Sequence, residues 1–452
     1  MSDVVIVGAG PAGLFAAKEL VERTELSVRI IESGKSVEAR RRSIKELGDL
    51  QSESRDIMRG VGGMCMLSNG TLNLEPNVGG KLTDYVSMDF ARELVSEVDS
   101  VFQKFGLSSK VYGGRTSETD ELSRKASAAD VKFVPVKQKR IGLENLIGMV
   151  SDFVEYLEEK GVDFQVETEV DEIEEDGVIL EGGKKIESDY IIATPGRTGA
   201  SWLLGQAEKL GMTIKHGPID VGVRVEIPSV VMKSIIEISK DPKFYVRTKT
   251  FDDFVRTFQI NQNGFVVRER YEDIVCVNGR TSIYEKTENS NFALLTQINL
   301  TEPVTNTTAY GESIARLATT IGGDVPVVQR LADLRNGRRS TDSRINRGHV
   351  NPTLDGVTPG DISMALPGRI VTSLQEALEQ LDEVISGVAS NSTLLYAPEI
   401  KFYAGKVPVD SEMRTSIESL YVAGDGAGPV HDIVNSCATA IIAARSIKKR
   451  SD

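Results

Sequence analysis

Buried-type apolar runs and helical periodicities occupy both ends of the chain, and a block of strand-like segments lies between them. Val4 to Val7 is unbroken apolar, the pattern of a strand covered on both faces in a parallel sheet. Gly8-Ala9-Gly10-Pro11-Ala12-Gly13 follows, then a helix-like segment carrying Leu14, Ala17 and Val21, then a second run, Val28 to Ile31, that ends at Glu32. This order of strand, tight turn, helix and strand predicts a βαβ unit. From Leu143 to Lys160 apolar residues recur at helical spacing, and Gly161 stops them. Phe164 to Val166, Glu172 to Glu174 and Val178 to Leu180 alternate with turn residues and read as a small meander. It feeds a core strand, Tyr190 to Ala193, that ends at Thr194-Pro195-Gly196.

The middle changes character. Asp220 to Ile227, Phe254 to Ile260, Phe265 to Arg270, Ile274 to Val277 and Phe292 to Leu300 are strand-like, with Asn263-Gly264 and Asn278-Gly279 expected as turns of an antiparallel sheet. Leu420 to Ala423 then returns to the buried-strand pattern, Gly424-Asp425-Gly426 makes a turn, and a small-residue helix is expected from about Asp432 to Lys448. The fold class is therefore α/β: a Rossmann-type unit with a parallel sheet and a β-meander, interrupted by a mixed α+β unit with an antiparallel sheet. The expected divisions are residues 1–211, with about 75–140 as a helical insertion, then 212–395, then a return segment, 396–452.

Composition narrows the function. The 452 residues hold 53 Lys and Arg against 66 Asp and Glu, a net charge of −13 spread along the chain, so nucleic acid is not the expected partner. Cys65, Cys276 and Cys437 form no Cys-x-x-Cys pair, which argues against a metal site, a dithiol and a disulfide framework, and fits a reducing cytoplasm. The N-terminal residues have no signal-peptide pattern, and the apolar stretch Ala438 to Ala444 is far shorter than the ~20 residues of a membrane span.

Gly8, Gly10 and Gly13 have the spacing of a dinucleotide turn: one for the tight turn, one for pyrophosphate approach, one for helix–strand packing. The unpaired amides and positive dipole end of the following helix stabilise phosphate without a cationic side chain. Glu32, at the end of the second strand, is placed to accept from ribose hydroxyls, and an acid there disfavours a 2′-phosphate. These residues alone leave NAD and FAD both open.

Two further segments carry a resemblance. Tyr190-Ile191-Ile192-Ala193-Thr194-Pro195-Gly196 is similar to the Ala-Thr-Gly motif of the two-dinucleotide-binding-fold (glutathione-reductase-like) flavoproteins, with Pro195 interposed. Leu420-Tyr421-Val422-Ala423-Gly424-Asp425-Gly426-Ala427-Gly428 resembles their C-terminal Gly-Asp motif. Within that superfamily the chain looks like the FAD-dependent dehydrogenase group, through Gly60 to Gly63 with Ser68-Asn69-Gly70-Thr71-Leu72-Asn73, Gly222 to Pro228, and Leu366-Pro367 ahead of a helix. It departs from the expected pattern after Gly428, where Pro429-Val430-His431-Asp432 replaces a more glycine-rich stretch. The resemblance implies FAD as cofactor, an aspartate on the ribityl chain, and a substrate unit inserted into the cofactor unit.

The expected cofactor contacts are Gly8, Gly10, Pro11, Ala12, Gly13, Glu32, Ser33, Arg41, Gly62, Gly63, Val170, Thr194, Pro195, Gly196, Gly424, Asp425 and Gly426. Arg41, with Arg40 and Arg42, either covers the adenine or pyrophosphate or belongs to a solvated helix start. Four residues are catalytic candidates. His431 stands at a helix start beside the Gly-Asp turn, where imidazole could donate a proton; the alternative is a capping role. Arg344 belongs to a cluster with Arg335, Arg338, Arg339 and Arg347 that could bind a carboxylate or phosphate, or could be a solvated loop balanced by Asp333 and Asp342; His349 is its neighbour. Cys65 is a single thiol or a packed small hydrophobe, since Gly70 stands where a dithiol partner would be. Lys137-Gln138-Lys139-Arg140 reads as solvated, and His216 as structural.

The function expected is an FAD oxidoreductase transferring hydride between flavin N5 and a small organic substrate. No second glycine fingerprint marks a dedicated nicotinamide domain, so reducing equivalents come from substrate, from NAD(P)H bound transiently, or from an electron-transfer protein. The alternatives are a flavin monooxygenase or halogenase, a non-catalytic escort protein of the same topology, and a flavoprotein that modifies transfer RNA.

Overall fold

The computed structural model describes residues 2–46, 59–63, 65, 70–141, 143–271, 273–282, 285–301, 306–402, 405–428 and 430–451. Ser68, Asn69 and Pro429 of the motifs above lie outside them. The fold is mixed α/β, as expected, with one parallel sheet and a larger, mostly antiparallel one.

The parallel sheet has five strands in the order Leu420–Val422, Tyr190–Ala193, Val4–Val7, Val28–Ile31, Asp163–Gln165. Val4 pairs in register with Tyr190 on one side and Val28 on the other. Successive side chains of a strand point to opposite faces. Val4 and Ile6 accordingly enter a core built with helices Pro11–Arg23, Leu143–Glu159 and Ile433–Ser451, while Val5 and Val7 pack under the meander and helix Ala200–Lys209. An unbroken apolar run is what a strand buried on both faces requires. Phe164, expected within the meander, lies instead in the outermost parallel strand; the meander is Val170–Glu174, Gly177–Leu180 and Lys185–Glu187.

The large sheet has eight strands: Thr358–Pro359, Val327–Arg330, Leu394–Lys401, Ile219–Pro228, Asn289–Ile298, Phe254–Asn261, Lys243–Arg247 and Val131–Val134. Ile219, Val221, Val223, Val225 and Ile227 pack on one face into a core shared with helices Ser229–Ile238, Thr307–Gly322 and Gly368–Val384. Asp220, Arg224 and Glu226, the alternate residues, are just as buried on the other face. This second face carries charge.

Three local readings change. Residues 75–140 hold helices Met88–Lys104 and Ser117–Ala128 but also strands Val111–Gly113, Val131–Val134 and Lys137–Arg140, and Val131–Val134 extends the large sheet beside Lys243–Arg247. Asn278-Gly279 is not a turn: it lies inside strand Ile274–Arg280, whose partner is Phe265–Tyr271. Lys137–Arg140 is not solvated as a whole. Gln138 and Lys139 are buried where this strand pairs with Thr71–Asn73 and Val111–Gly113, and Lys139 is ion-paired to Asp99 at 2.7 Å.

Candidate functional site

The carboxyl ends of the central parallel strands open into a cleft of about 1200 Å³ that runs to the charged face of the large sheet. Three glycines shape its first end. Gly8 has φ +106°, and a Cβ there would stand under 3.0 Å from the Thr194 carbonyl; a Cβ at Gly13 would meet the Gly8 carbonyl as closely. Nothing lies within 4 Å of a Cβ built at Gly10, which lines the cleft. Two glycines therefore serve packing and the third leaves space. Beside that space, helix Pro11–Arg23 begins with proline at N1 after a glycine cap that has no side-chain acceptor. The first-turn amides of Ala12 and Gly13 have no helical acceptor and stand ready for an anion.

Glu32 is buried and ties the turn to its neighbours: Oε2 accepts from the Ala9 amide at 2.8 Å, and Oε1 from the amides of Gly34 at 2.8 Å and Gly60 at 3.0 Å. A carboxylate has about four acceptor positions, so Oε2 keeps capacity for a hydroxyl. Ser33 and Val170 line the same end, beside the Arg59–Glu169 ion pair at 2.6 Å. Arg41 is exposed and does not line the cleft. Arg40 is the inward arginine: its guanidinium donates to the carbonyls of Gly60, Val61 and Gly63 at 3.2, 2.6 and 3.0 Å, holding the glycine loop that carries Gly62 and Gly63 against Gly10. Burial brings this guanidinium down to about 10, with Glu32 pulling the other way, so it stays charged at neutral pH.

The other two motifs close on the first. Thr194 donates through its hydroxyl to the carbonyls of Val7 and Gly8 at 3.1 and 3.0 Å. A Cβ at Gly426 would meet the Gly196 carbonyl under 3.0 Å away, and one at Gly424 would touch Ala12. Arg197, one residue past the second motif, donates to Asp425 Oδ2 from Nε at 3.2 Å and Nη2 at 3.0 Å, while His431 Nδ1 faces Oδ1 at 3.1 Å. Burial would raise the Asp425 carboxyl, but Arg197 and His431 outweigh it and hold it at about 2. The carboxylate is thus ionised and can only accept, so Nδ1 carries the proton of this contact.

His431 does stand just ahead of helix Ile433–Ser451, but the cap is Asp432, whose Oδ1 accepts from the Asn435 amide at 3.0 Å. Burial pushes the Asp432 carboxyl up to about 7 against the Asn435 donors. The His431 amide donates to Gly79, and Asn435 Nδ2 to the Val78 carbonyl at 2.9 Å, which fastens Val78–Gly80 across the helix start.

Cys65 lines the cleft, but burial pushes its thiol up to about 12, with Arg40 drawing it down, so it is no thiolate at neutral pH. Arg344 and His349 lie away from the cleft. Arg344 donates to the Arg339 carbonyl at 2.7 Å and, with Arg338 and Arg330, surrounds fully buried Asp333, which accounts for that cluster without a ligand; His349 is exposed. Arg40 was named from sequence only beside Arg41, which was preferred to it; Arg197 and Asp432 were missed as site residues. For Arg197 a signal exists, its place directly after Thr194-Pro195-Gly196. Among the described residues no group of three or more His, Cys, Asp or Glu could hold a metal ion, and no helix is long and apolar enough to cross a membrane.

Residues 218–401, less than half of the chain, match the family model described as "FAD-dependent protein, C-terminal domain-like". The match runs from the start of strand Ile219–Pro228 to the end of strand Leu394–Lys401, which form the middle of the large sheet. Among curated proteins none matches. Similar solved structures include pyridoxine 4-oxidase from Mesorbium loti, at 14% identity over 99% of each chain with a TM-score of 0.45. L-proline dehydrogenase from P. horikoshii aligns at 12% identity over 99% of this chain and 94% of its own, with a TM-score of 0.44. Glycine oxidase from Geobacillus kaustophilus aligns at 12% identity over 99% and 95%, with a TM-score of 0.39. Similarity that low decides nothing about function.

Proposed function

We propose that the chain is an FAD-dependent oxidoreductase acting on a small organic molecule. One observation carries the reading: Gly10, uncapped first-turn amides, Glu32 and an ionised Asp425 border a single cleft, and the backbone approaches at Gly8, Gly13 and Gly426 hold them together. The family match over residues 218–401 supports the same cofactor.

The space at Gly10 and the amides of Ala12 and Gly13 suit a pyrophosphate, Glu32 Oε2 the ribose hydroxyls, and Asp425 a polyol chain. When bound, flavin supplies hydride chemistry at N5. The chain's part is to orient the substrate, keep water out and hold or pass a proton at the His431 imidazole, with Asp425 orienting the ring through Nδ1. Asp425 is in turn kept ionised by Arg197.

The test is to purify the protein, extract and identify any flavin, and follow its visible absorbance anaerobically while dithionite, NADH, NADPH and candidate substrates are added. Bound FAD that is reduced by a small molecule and reoxidised by an acceptor is the expected result. A colourless protein that takes up no added FAD sinks the reading. Oxygen consumption coupled to product hydroxylation would move it to the monooxygenase class. His431→Ala should slow the proton-coupled half-reaction while FAD stays bound, and unchanged kinetics would remove that role.

A further inference from the structure

The far end of the cleft holds a group of charges that the reading above does not use. Lys243 and Arg256 are on strands Lys243–Arg247 and Phe254–Asn261, Lys401 ends strand Leu394–Lys401, and all three line the cleft on the charged face of the large sheet. They surround one ring: Lys243 Nζ, Lys401 Nζ and the Arg256 guanidinium stand 5.4, 5.3 and 5.1 Å from the centre of Phe258. Cations gather at an aromatic face because the ring's quadrupole attracts them.

One of their carboxylate partners is shared with a further cation. Lys243 pairs with Asp241, Arg256 with Asp220 at 2.5 Å, and Lys401 with Glu399 at 2.8 Å. Glu399 is also claimed by Arg224, whose Nη1 lies 3.1 Å from Oε1. At Glu399 two cations thus share one carboxylate, and none of the seven side chains is more than 19% exposed. Among the described residues no ion pair joins Lys243 or Lys401 to Glu226, Glu269 or Asp432, which are hydrogen-bonded to Thr353 and Tyr396, to Tyr271 and Asn278, and to Asn435. An uncompensated buried charge is costly unless a counter-ion arrives. Each lysine ammonium has three donors and a single carboxylate partner here, so donors remain for one.

We propose that this end of the cleft is an anion subsite, where Lys243, Lys401 and Arg256 take a carboxylate or phosphate borne by a substrate whose carbon frame lies against Phe258. The proposal rests on the flavoenzyme reading only in calling the ligand a substrate. Lys243 also acts electrostatically on Asp432, next to His431. An anion held there would leave the rest of the molecule in the stretch of cleft that His431 borders.

Calorimetric titration of the purified full chain tests it, with benzoate and phenyl phosphate as anionic probes and benzamide as the neutral counterpart. At least one anion should bind about tenfold more tightly than benzamide, and the tighter anion identifies the group taken. Lys401→Met and Lys243→Met should each weaken that anion about tenfold or more, Lys401→Arg should retain it, and added salt should weaken it. The wild-type comparison needs no variant to fold. Equal binding of anions and benzamide, no binding of either anion, or stable Met variants that bind like wild type would overturn the subsite. Flavin content of the same samples separates the two claims. Protein without flavin that holds benzoate through Lys401 keeps the subsite and loses the flavoenzyme; flavin-bearing protein indifferent to anions does the reverse.

Discussion

Gly8, Gly10 and Gly13 form one motif in the sequence, yet the structure predicts opposite results for the same substitution. Gly10 has φ −71° and ψ 179°, a conformation open to any residue, and a Cβ there meets nothing within 4 Å. In protein free of cofactor, Gly10→Ala should leave stability unchanged or raise it by about 0.4–1 kcal/mol through reduced freedom of the unfolded chain. The added methyl group fills the space assigned to pyrophosphate. Displacing a phosphate from one charge-assisted amide bond costs about 1.5–3 kcal/mol, so FAD affinity should fall roughly ten- to a hundredfold. At Gly8 and Gly13 the new Cβ would instead press on backbone carbonyls under 3.0 Å away, and Gly8 also has φ +106°. Overpacking against backbone that cannot move aside should lower stability by about 1–3 kcal/mol or more. Urea unfolding of flavin-stripped protein, paired with FAD titration followed by flavin fluorescence, reads both effects. A Gly10→Ala variant that binds FAD like wild type, or a Gly8→Ala variant as stable as wild type, would refute the division of labour.

Three further outcomes are expected. Arg224→Met removes the guanidinium bonds to Glu399 and Asn291 but leaves Glu399 its Lys401 partner, and should lower stability by about 1.5–3 kcal/mol, whereas Arg344→Ala, at a partly exposed side chain 3.9 Å from an Asp333 that Arg338 and Ser340 already hold, should cost less than about 1 kcal/mol; a reversed order in urea would contradict the placement of the two arginines. The Asp425 carboxyl, held at about 2 against an ordinary 3.8, contributes stability on the order of 2 kcal/mol that is complete above about pH 4 and is lost as pH falls through 2. Arg197→Gln should therefore move acid unfolding to higher pH, and an unmoved acid transition would count against the pair. Cys65, Cys276 and Cys437 are all buried, so iodoacetamide should label the native protein at the rate of opening and the urea-unfolded chain at once; rapid native labelling would place a reactive thiol at the surface.

How far the sequence reaches can be judged residue by residue. Gly8, Gly13 and Glu32 were legible because each answers a local demand: a positive φ, a backbone approach, a strand end beside a helix N-terminus; Asp425 was legible only through the resemblance of its segment to the Gly-Asp motif. Arg40 and Arg41 were not separable. They are neighbours on helix Val37–Glu46, and a helix turns about 100° per residue, so only packing decides which of them enters the glycine loop. Lys139 and Gln138 read as solvent residues because nothing near them in the chain shows that two strands will flank them. Arg344 and His349 had the composition of a site, but Asp333, a few residues away, satisfies that cluster once the chain folds.

The sequence by itself determined the class of fold and the first end of the cleft, since period-two and helical apolar patterns and glycine spacing are properties of short segments. It also held the two-faced character of strand Ile219–Pro228 in its alternation of apolar and charged residues. Only the tertiary structure decided that Arg197 and His431 share Asp425, that Arg224 and Lys401 share Glu399, and that Lys243, Arg256 and Lys401 meet at Phe258. These groups come from strands and turns far apart in the chain, and the energy of a charge depends on which neighbours desolvate and pair it, a relation that exists only after folding.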